Sequence, residues 1–178
     1  MYKDDDQDDD NMIECAVKNY NYSLIPDDMT SMISKARKKN EFGFQSLGSI
    51  VERITIPSSI TTIGNNAFKG CSYLKEVTIP SSVTIIESNA FSECSSLEQI
   101  TIPSSVTSIG GSVFSGCKKL KEITIPSSVV SIKGGCFYNC TSLETISILS
   151  SITSIEPSFS CGCQSLKQIS IPSSLTSI

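Results

Sequence analysis

Every 23 residues the sequence returns to the same words. Pro57, Pro80, Pro103 and Pro126 fall on that step, Leu149 holds the next place, and Pro172 the one after. Cys71, Cys94, Cys117, Cys140 and Cys163 keep it, as do Leu74, Leu97, Leu120, Leu143 and Leu166, and Ile63, Ile86, Ile109, Ile132, Ile155 and Ile178. A fixed period of about 20–50 residues predicts a repeat solenoid, in which copies of one small unit bury their apolar side chains only by stacking on each other. The vocabulary of Ser, Thr and Ile favours short parallel strands over helices.

Within a unit, Leu74, Val77 and Ile79 alternate as an inward-facing strand, and Pro80, which cannot donate to a ladder, ends it. Val83 and Ile86 point back into the core from the return path, and Ala90 with Phe91 fill the wider side. Phe68, Phe91, Phe114 and Phe137 are expected to form one internal aromatic column beside the small residues Ala67, Ala90, Val113 and Cys136. Gly64, Gly110 and Gly111 sit where the path turns, through positive φ or close backbone approach. The Ser-Ser after each proline is expected to bond locally to backbone at the bend.

The string Cys71-Ser72-Tyr73-Leu74-Lys75-Glu76-Val77-Thr78-Ile79-Pro80, continued by Val83, Ile86, Ala90 and Phe91, resembles the BspA-like, or Treponema-pallidum-type, leucine-rich repeats. The resemblance covers roughly residues 44–178. It implies a leucine-rich repeat solenoid and a role similar to that of surface antigens and adhesins that bind host or matrix proteins. At Pro157–Phe159 the aromatic comes one position earlier than Phe91 predicts, so that coil is expected to be irregular.

Three segments follow. Residues 1–26 are an acidic disordered leader, with six Asp in the first ten positions. Residues 27–48 are a small helical cap: Asp27 or Asp28 begins it, Met29, Met32, Ile33 and Ala36 form its apolar stripe, and Lys35, Arg37, Lys38 and Lys39 load its C-terminal end. Residues 49–178 are the solenoid, of about five and a half coils, closing on the apolar Ile178. That edge is a candidate for self-association.

Catalysis finds little to work with. His is absent, and Asp is confined to positions 4–10 and 27–28, so the many Ser and Cys lack a base to activate them. The cysteine column runs along the stack, whereas zinc needs four donors converging on one point. No enzyme, metal or cofactor is expected, and the thiols read as free, buried small hydrophobes. The net charge of -4 lies in residues 1–48, since the repeats carry eight acidic and eight basic residues; no field favours nucleic acid. No apolar run is long enough to cross a membrane. The start MYKDDDQDDD lacks the basic and apolar segments of a signal peptide, which leads to an expectation of a cytoplasmic chain, with the cell surface as the setting implied by the resemblance. Asn21-Tyr22-Ser23 and Asn139-Cys140-Thr141 match the N-glycosylation rule.

The outward strand positions are the candidate recognition surface. Glu52, Lys75, Glu98, Lys121, Glu144 and Lys167 alternate in sign, which in a parallel ladder sets each charge beside opposite charges on both neighbouring coils. Beside them run Arg53, Glu76, Gln99, Glu122, Thr145 and Gln168, and next Thr55, Thr78, Thr101, Thr124, Ser147 and Ser170. Arg53, Glu76, Thr78, Gln99, Thr101, Glu122, Thr124, Thr145 and Gln168 are the residues expected to contact a protein partner, which the sequence does not name. The predicted function is a non-enzymatic protein-binding scaffold. Its alternatives are a structural or self-associating repeat protein, or a fragment of a longer surface antigen or adhesin.

Overall fold

The computed structural model describes residues 52–176. The leader over 1–26, the helical cap over 27–48 and the terminal Ile178 lie outside the described residues. Within them the period becomes a parallel β-solenoid. One face carries β1 (Arg53–Thr55), β3 (Glu76–Thr78), β5 (Gln99–Ile100), β7 (Glu122–Ile125), β9 (Thr145–Ile148) and β10 (Gln168–Ser170). The return face carries the two-residue strands β2 (Thr62–Ile63), β4 (Ile85–Ile86), β6 (Ser108–Ile109) and β8 (Ser131–Ile132). Every partner lies 23 residues away, as in Arg53 opposite Glu76, Ile63 opposite Ile86 and Ile123 opposite Ile146.

Alternation decides what goes inside. In β3 Val77 is buried between exposed Glu76 and Thr78, and Leu74, Val83, Ile86, Ala90 and Phe91 are fully buried, as the pattern predicts. β3 stops before Pro80 and β7 before Pro126. Where Leu149 replaces proline, its N–H donates to the Ile125 carbonyl at 3.0 Å, a bond no proline can make.

The aromatic column forms. Phe68, Phe91, Phe114 and Phe137 stack nearly parallel, with ring centroids 5.2, 5.8 and 5.7 Å apart. Phe159 meets Phe137 edge-on at 5.1 Å and 89°. Its carbonyl accepts from the Phe137 N–H as the Cys136 carbonyl accepts from Phe114, so Phe159 stands in the small-residue column, one place early.

Two local expectations need correction. Positive φ does not fall on Gly110 or Gly111 but on two other columns of 23-residue step: Asn66, Asn89, Ser112, Gly135 and Ser158, then Gly70, Glu93, Gly116, Asn139 and Gly162. Gly110 is there for close approach, since a Cβ would press on the backbone of Glu87 and Ser88, 2.7 Å from the Glu87 carbonyl carbon. The serines after proline bond across coils, not locally. Ser82, Ser105, Ser128 and Ser174 hydroxyls donate to the carbonyls of Ile60, Val83, Val106 and Ile152, 22 residues back, at 2.6–2.9 Å. The local carbonyl is already taken: Pro80 accepts from Val83 N–H, and Pro103 from Val106.

The cysteine column is buried at Cys94, Cys117 and Cys140 and half-buried at Cys71 and Cys163, with every thiol free. Cys94, Cys117, Cys140 and Cys163 donate to the carbonyls of Phe68, Phe91, Phe114 and Phe137, each 26 residues back. Burial pushes the Cys71 thiol up to about 11 and the Cys136 thiol up to about 12. These groups are neutral fillers that also tie one coil to the last, whereas Cys161 is exposed.

Candidate binding surface

The strand face presents the residues that alternation leaves outside. Arg53, Glu76, Thr78, Gln99, Thr101, Glu122, Thr124 and Gln168 are exposed and Thr145 is half-buried. In-register pairing sets Arg53 beside Glu76, Glu76 beside Gln99, and Thr145 between Glu122 and Gln168.

The alternating charges pair at only some of their places. Lys75 Nζ lies 2.8 Å from Glu52, and Lys167 Nζ 2.7 Å from Glu144. Arg53 adds a looser contact to Glu76 at 3.5 Å. The hydrogen bond and charge of Lys75 lower the Glu52 pKa, and Lys167 does the same to Glu144. Glu98 and Lys121 make no ion pair among the described residues, so the expected unbroken row is corrected to two separated pairs. A lysine in this geometry reaches one neighbour and leaves the other bare.

The face is also divided. It consists of two three-stranded sheets, β1-β3-β5 and β10-β9-β7, and no ladder joins β5 to β7. Elsewhere one carbonyl per coil receives two amides from the next: Lys75 from Glu98 and Gln99, and Lys121 from Glu144 and Thr145. The equivalent Glu98 carbonyl and the amides of Lys121 and Glu122 make no such bond among the described residues. The return face stays closed here, with Ser108 opposite Ser131 and Ile109 opposite Ile132. The two strands remain neighbours without a ladder between them, and a groove of 430 Å³ lies at this place, lined by Ile100, Thr101, Ile102, Glu122, Ile123, Thr124, Pro126, Ser127 and Leu149.

Leu149 is the groove's apolar landmark, 60% exposed where the other coils place a half-buried proline. Its neighbour Ser150 is 1% exposed, and its hydroxyl has no hydrogen-bond partner. At the same position of other coils Ser81, Ser104 and Ser127 are exposed. Both features escaped the sequence reading, although the single replacement in the proline column was their visible signal.

Among the described residues no group of three or more His, Cys, Asp or Glu gathers to hold a metal, and no helix is long and apolar enough to cross a membrane.

Residues 38–159 match the family model described as BspA type leucine rich repeat region, in six copies. The chain is 41% identical to a leucine-rich repeat protein from Bacteroides ovatus, with TM-score 0.67 over 70% of this chain and 32% of that one. It is 33% identical to the T. pallidum leucine rich repeat protein, with TM-score 0.65 over 67% of this chain and 56% of that one. A leucine rich cell surface protein from Faecalibacterium prausnitzii is 37% identical, with TM-score 0.64 over 67% of this chain and 32% of that one. The chain thus spans between about a third and rather more than half of these structures. No curated protein matches it significantly.

These relatives overturn the cytoplasmic expectation. That expectation rested on the lack of a signal-peptide pattern in the first ten residues, whereas a relative that shares the repeats, the F. prausnitzii protein, is a cell surface protein. The fold is that of a non-enzymatic scaffold of the kind typical of protein interaction. By its repeat pattern, its parallel coils and its identity to solved relatives, the chain belongs to the BspA-type leucine-rich repeat family.

Proposed function

We propose that this chain is a protein-binding scaffold of surface-antigen type that engages its partner through the strand face, with Arg53, Glu76, Thr78, Gln99, Thr101, Glu122, Thr124, Thr145 and Gln168 as contact positions. The observation that carries this reading is the in-register face itself, which repeats short polar side chains at a spacing of about 4.8 Å between coils. Each contact is weak, because the face holds one Arg and no Trp, and affinity normally concentrates in such anchors. Repetition compensates, since an extended partner can meet several coils at once. The F. prausnitzii relative is a cell surface protein, and that supports an extracellular partner.

The test uses purified extracellular matrix proteins in an interferometry panel. Thr78→Lys and Thr124→Lys alter the strand face, while Val130→Lys alters an exposed position on the return side. Strand-face substitutions are expected to weaken binding at least about tenfold and the return-side one to leave it unchanged. The reverse pattern refutes the assignment of the face.

A second reading, self-association, has its own observation. β10 pairs only with β9 among the described residues, and Ile169 on it and Ile171 just after it are exposed. Sedimentation across a concentration series distinguishes the two, because a stable monomer removes this reading.

A further inference from the structure

The groove at β5 and β7 gives the strand face depth. The two strands stay neighbours, so no further strand fits between them, and whatever the groove takes must lie along its surface. At 430 Å³ it stands near the small end of the roughly 300–1,000 Å³ of ligand pockets, with room for side chains and not for a folded segment. Its wall along β7 runs from Glu122 to Pro126, about 13 Å at roughly 3.3 Å per residue.

The two ends of that wall differ in chemistry. At one end Glu122 is exposed and has no ion pair among the described residues, whereas Glu52, Glu76 and Glu144 each have a cationic partner. The adjacent cation, Lys121, acts elsewhere: the Glu144 carboxyl, lowered first by Lys167, is lowered further by the charge of Lys121. At the other end Pro126 and the exposed Leu149 form an apolar lip, and Thr101 and Thr124 stand between the two ends. A side chain that fits this sequence of surfaces is apolar along its length, cationic at its tip and able to donate in several directions. Arginine's planar fork matches a carboxylate and has donors left for the hydroxyls, which the point charge of lysine matches less well.

We propose that this groove is the anchor site for an arginine side chain presented by a partner protein. The guanidinium donates to the Glu122 carboxylate and to the Thr101 and Thr124 hydroxyls, the methylene stem lies toward Pro126 and Leu149, and the partner's backbone stays outside the strand layer. The anchor rests on the reading of the strand face as the binding surface and gives that surface a specificity. A few arginine or aromatic anchors carry most of the energy of an interface, while the polar contacts around them mainly exclude water.

The probe is N-acetyl-arginine methylamide, titrated into the isotope-labelled chain and followed by amide shifts, with the citrulline analogue as its neutral isostere. Thr101, Glu122 and Thr124 amides should shift together and saturate, and the citrulline analogue should bind at least about fivefold more weakly. Glu122→Gln should weaken arginine binding at least about fivefold and Leu149→Ser at least about twofold, while Glu76→Gln, at a carboxylate outside the groove, should change nothing. All three side chains are exposed, so none of these changes disturbs the core. Shifts that are not confined to the groove, or equal binding of the two analogues, overturn the site. Equal losses at Glu76→Gln and Glu122→Gln overturn it too, because the attraction is then one of general charge. So does movement of the same amides with concentration in the chain alone, because the occupant is then a second copy. If the arginine probe fails while Thr78→Lys still weakens matrix-protein binding and Glu122→Gln does not, the face stands and only the groove falls.

Discussion

Truncating Phe114 to alanine removes the ring at the centre of the aromatic column. Phe114 is fully buried, with Phe91 5.8 Å to one side and Phe137 5.7 Å to the other. The loss has a transfer part and a cavity part, and together these cost about 3–5 kcal/mol for a buried aromatic truncated to alanine. The cavity part should be near its full value, because the walls are pinned. Phe91 N–H donates to the Val113 carbonyl at 3.0 Å and Phe114 N–H to the Cys136 carbonyl at 2.9 Å, so the coils cannot close on the gap without breaking their ladders. Two ring contacts vanish as well, each worth about 0.5–1.5 kcal/mol beyond area burial. Urea unfolding measures the change, with exposed Thr101→Ala as a comparison expected to stay within about 0.5 kcal/mol. The slope of free energy against urea must also match between variants, since a repeat array can split into parts. A loss below about 1 kcal/mol at Phe114 would refute the reasoning, because the column would then be bearing no packing load.

Gly110→Ala should destabilise by roughly 1–3 kcal/mol by forcing a Cβ against the Ser88 backbone, while Gly111→Ala, whose nearest contact would be 3.4 Å, should be nearly neutral; thermal melts of the two separate close approach from a general need for glycine. Ser150→Ala removes a buried hydroxyl that has no partner, and should leave the urea midpoint unchanged or raise stability by up to about 1 kcal/mol; a loss would show that the hydroxyl is bonded. Glu52, Glu144 and Glu156 all have lowered folded-state pKa values: Lys75 and Lys167 act on the first two, and on Glu156 the Gly134 N–H acts first and Lys133 next. Their contribution is therefore present above the ordinary carboxylate pKa and is lost as pH falls through the lowered one. Melting temperature should drop in that acid window, less in 1 M salt, and a Glu52→Gln/Glu144→Gln/Glu156→Gln variant should show a flatter profile there.

Much of the fold was legible because the 23-residue step repeats each decision. Val77 and Phe91 are assigned to the core by alternation and by column, and a mistaken inward position would recur in every coil as an exposed apolar residue. The turns were misread for lack of the same column-wise treatment. Asn66, Asn89, Ser112, Gly135 and Ser158 form a column of residues that tolerate positive φ, a stronger signal than the glycines at 64, 110 and 111. The serine bonds were missed because a hydroxyl chooses between a local carbonyl and one on the previous coil, and only the stacked backbone shows which is free. The opening between β5 and β7 has no local cause in the sequence, since both walls carry nearly the same residues. Leu149 alone marked the neighbourhood, as the one break in the proline column.

The bonds that cross from coil to coil have a consequence for the history of the gene. Hydroxyls reach back 22 or 23 residues, backbone ladders 23 and thiols 26, while amides such as those of Phe91 and Phe114 reach forward 22, so each unit bonds to its immediate neighbours and to nothing more distant. A duplication or loss of one whole period therefore joins two surfaces already built to fit, and changes length without asking any side chain to find a new neighbour. Slipped copying of near-identical codons would be tolerated at the level of folding, whereas an insertion of any other size would put serine, thiol and ladder out of phase together. Selection on such a chain acts on copy number as readily as on residues, and proteins of quite different lengths can share one structural grammar.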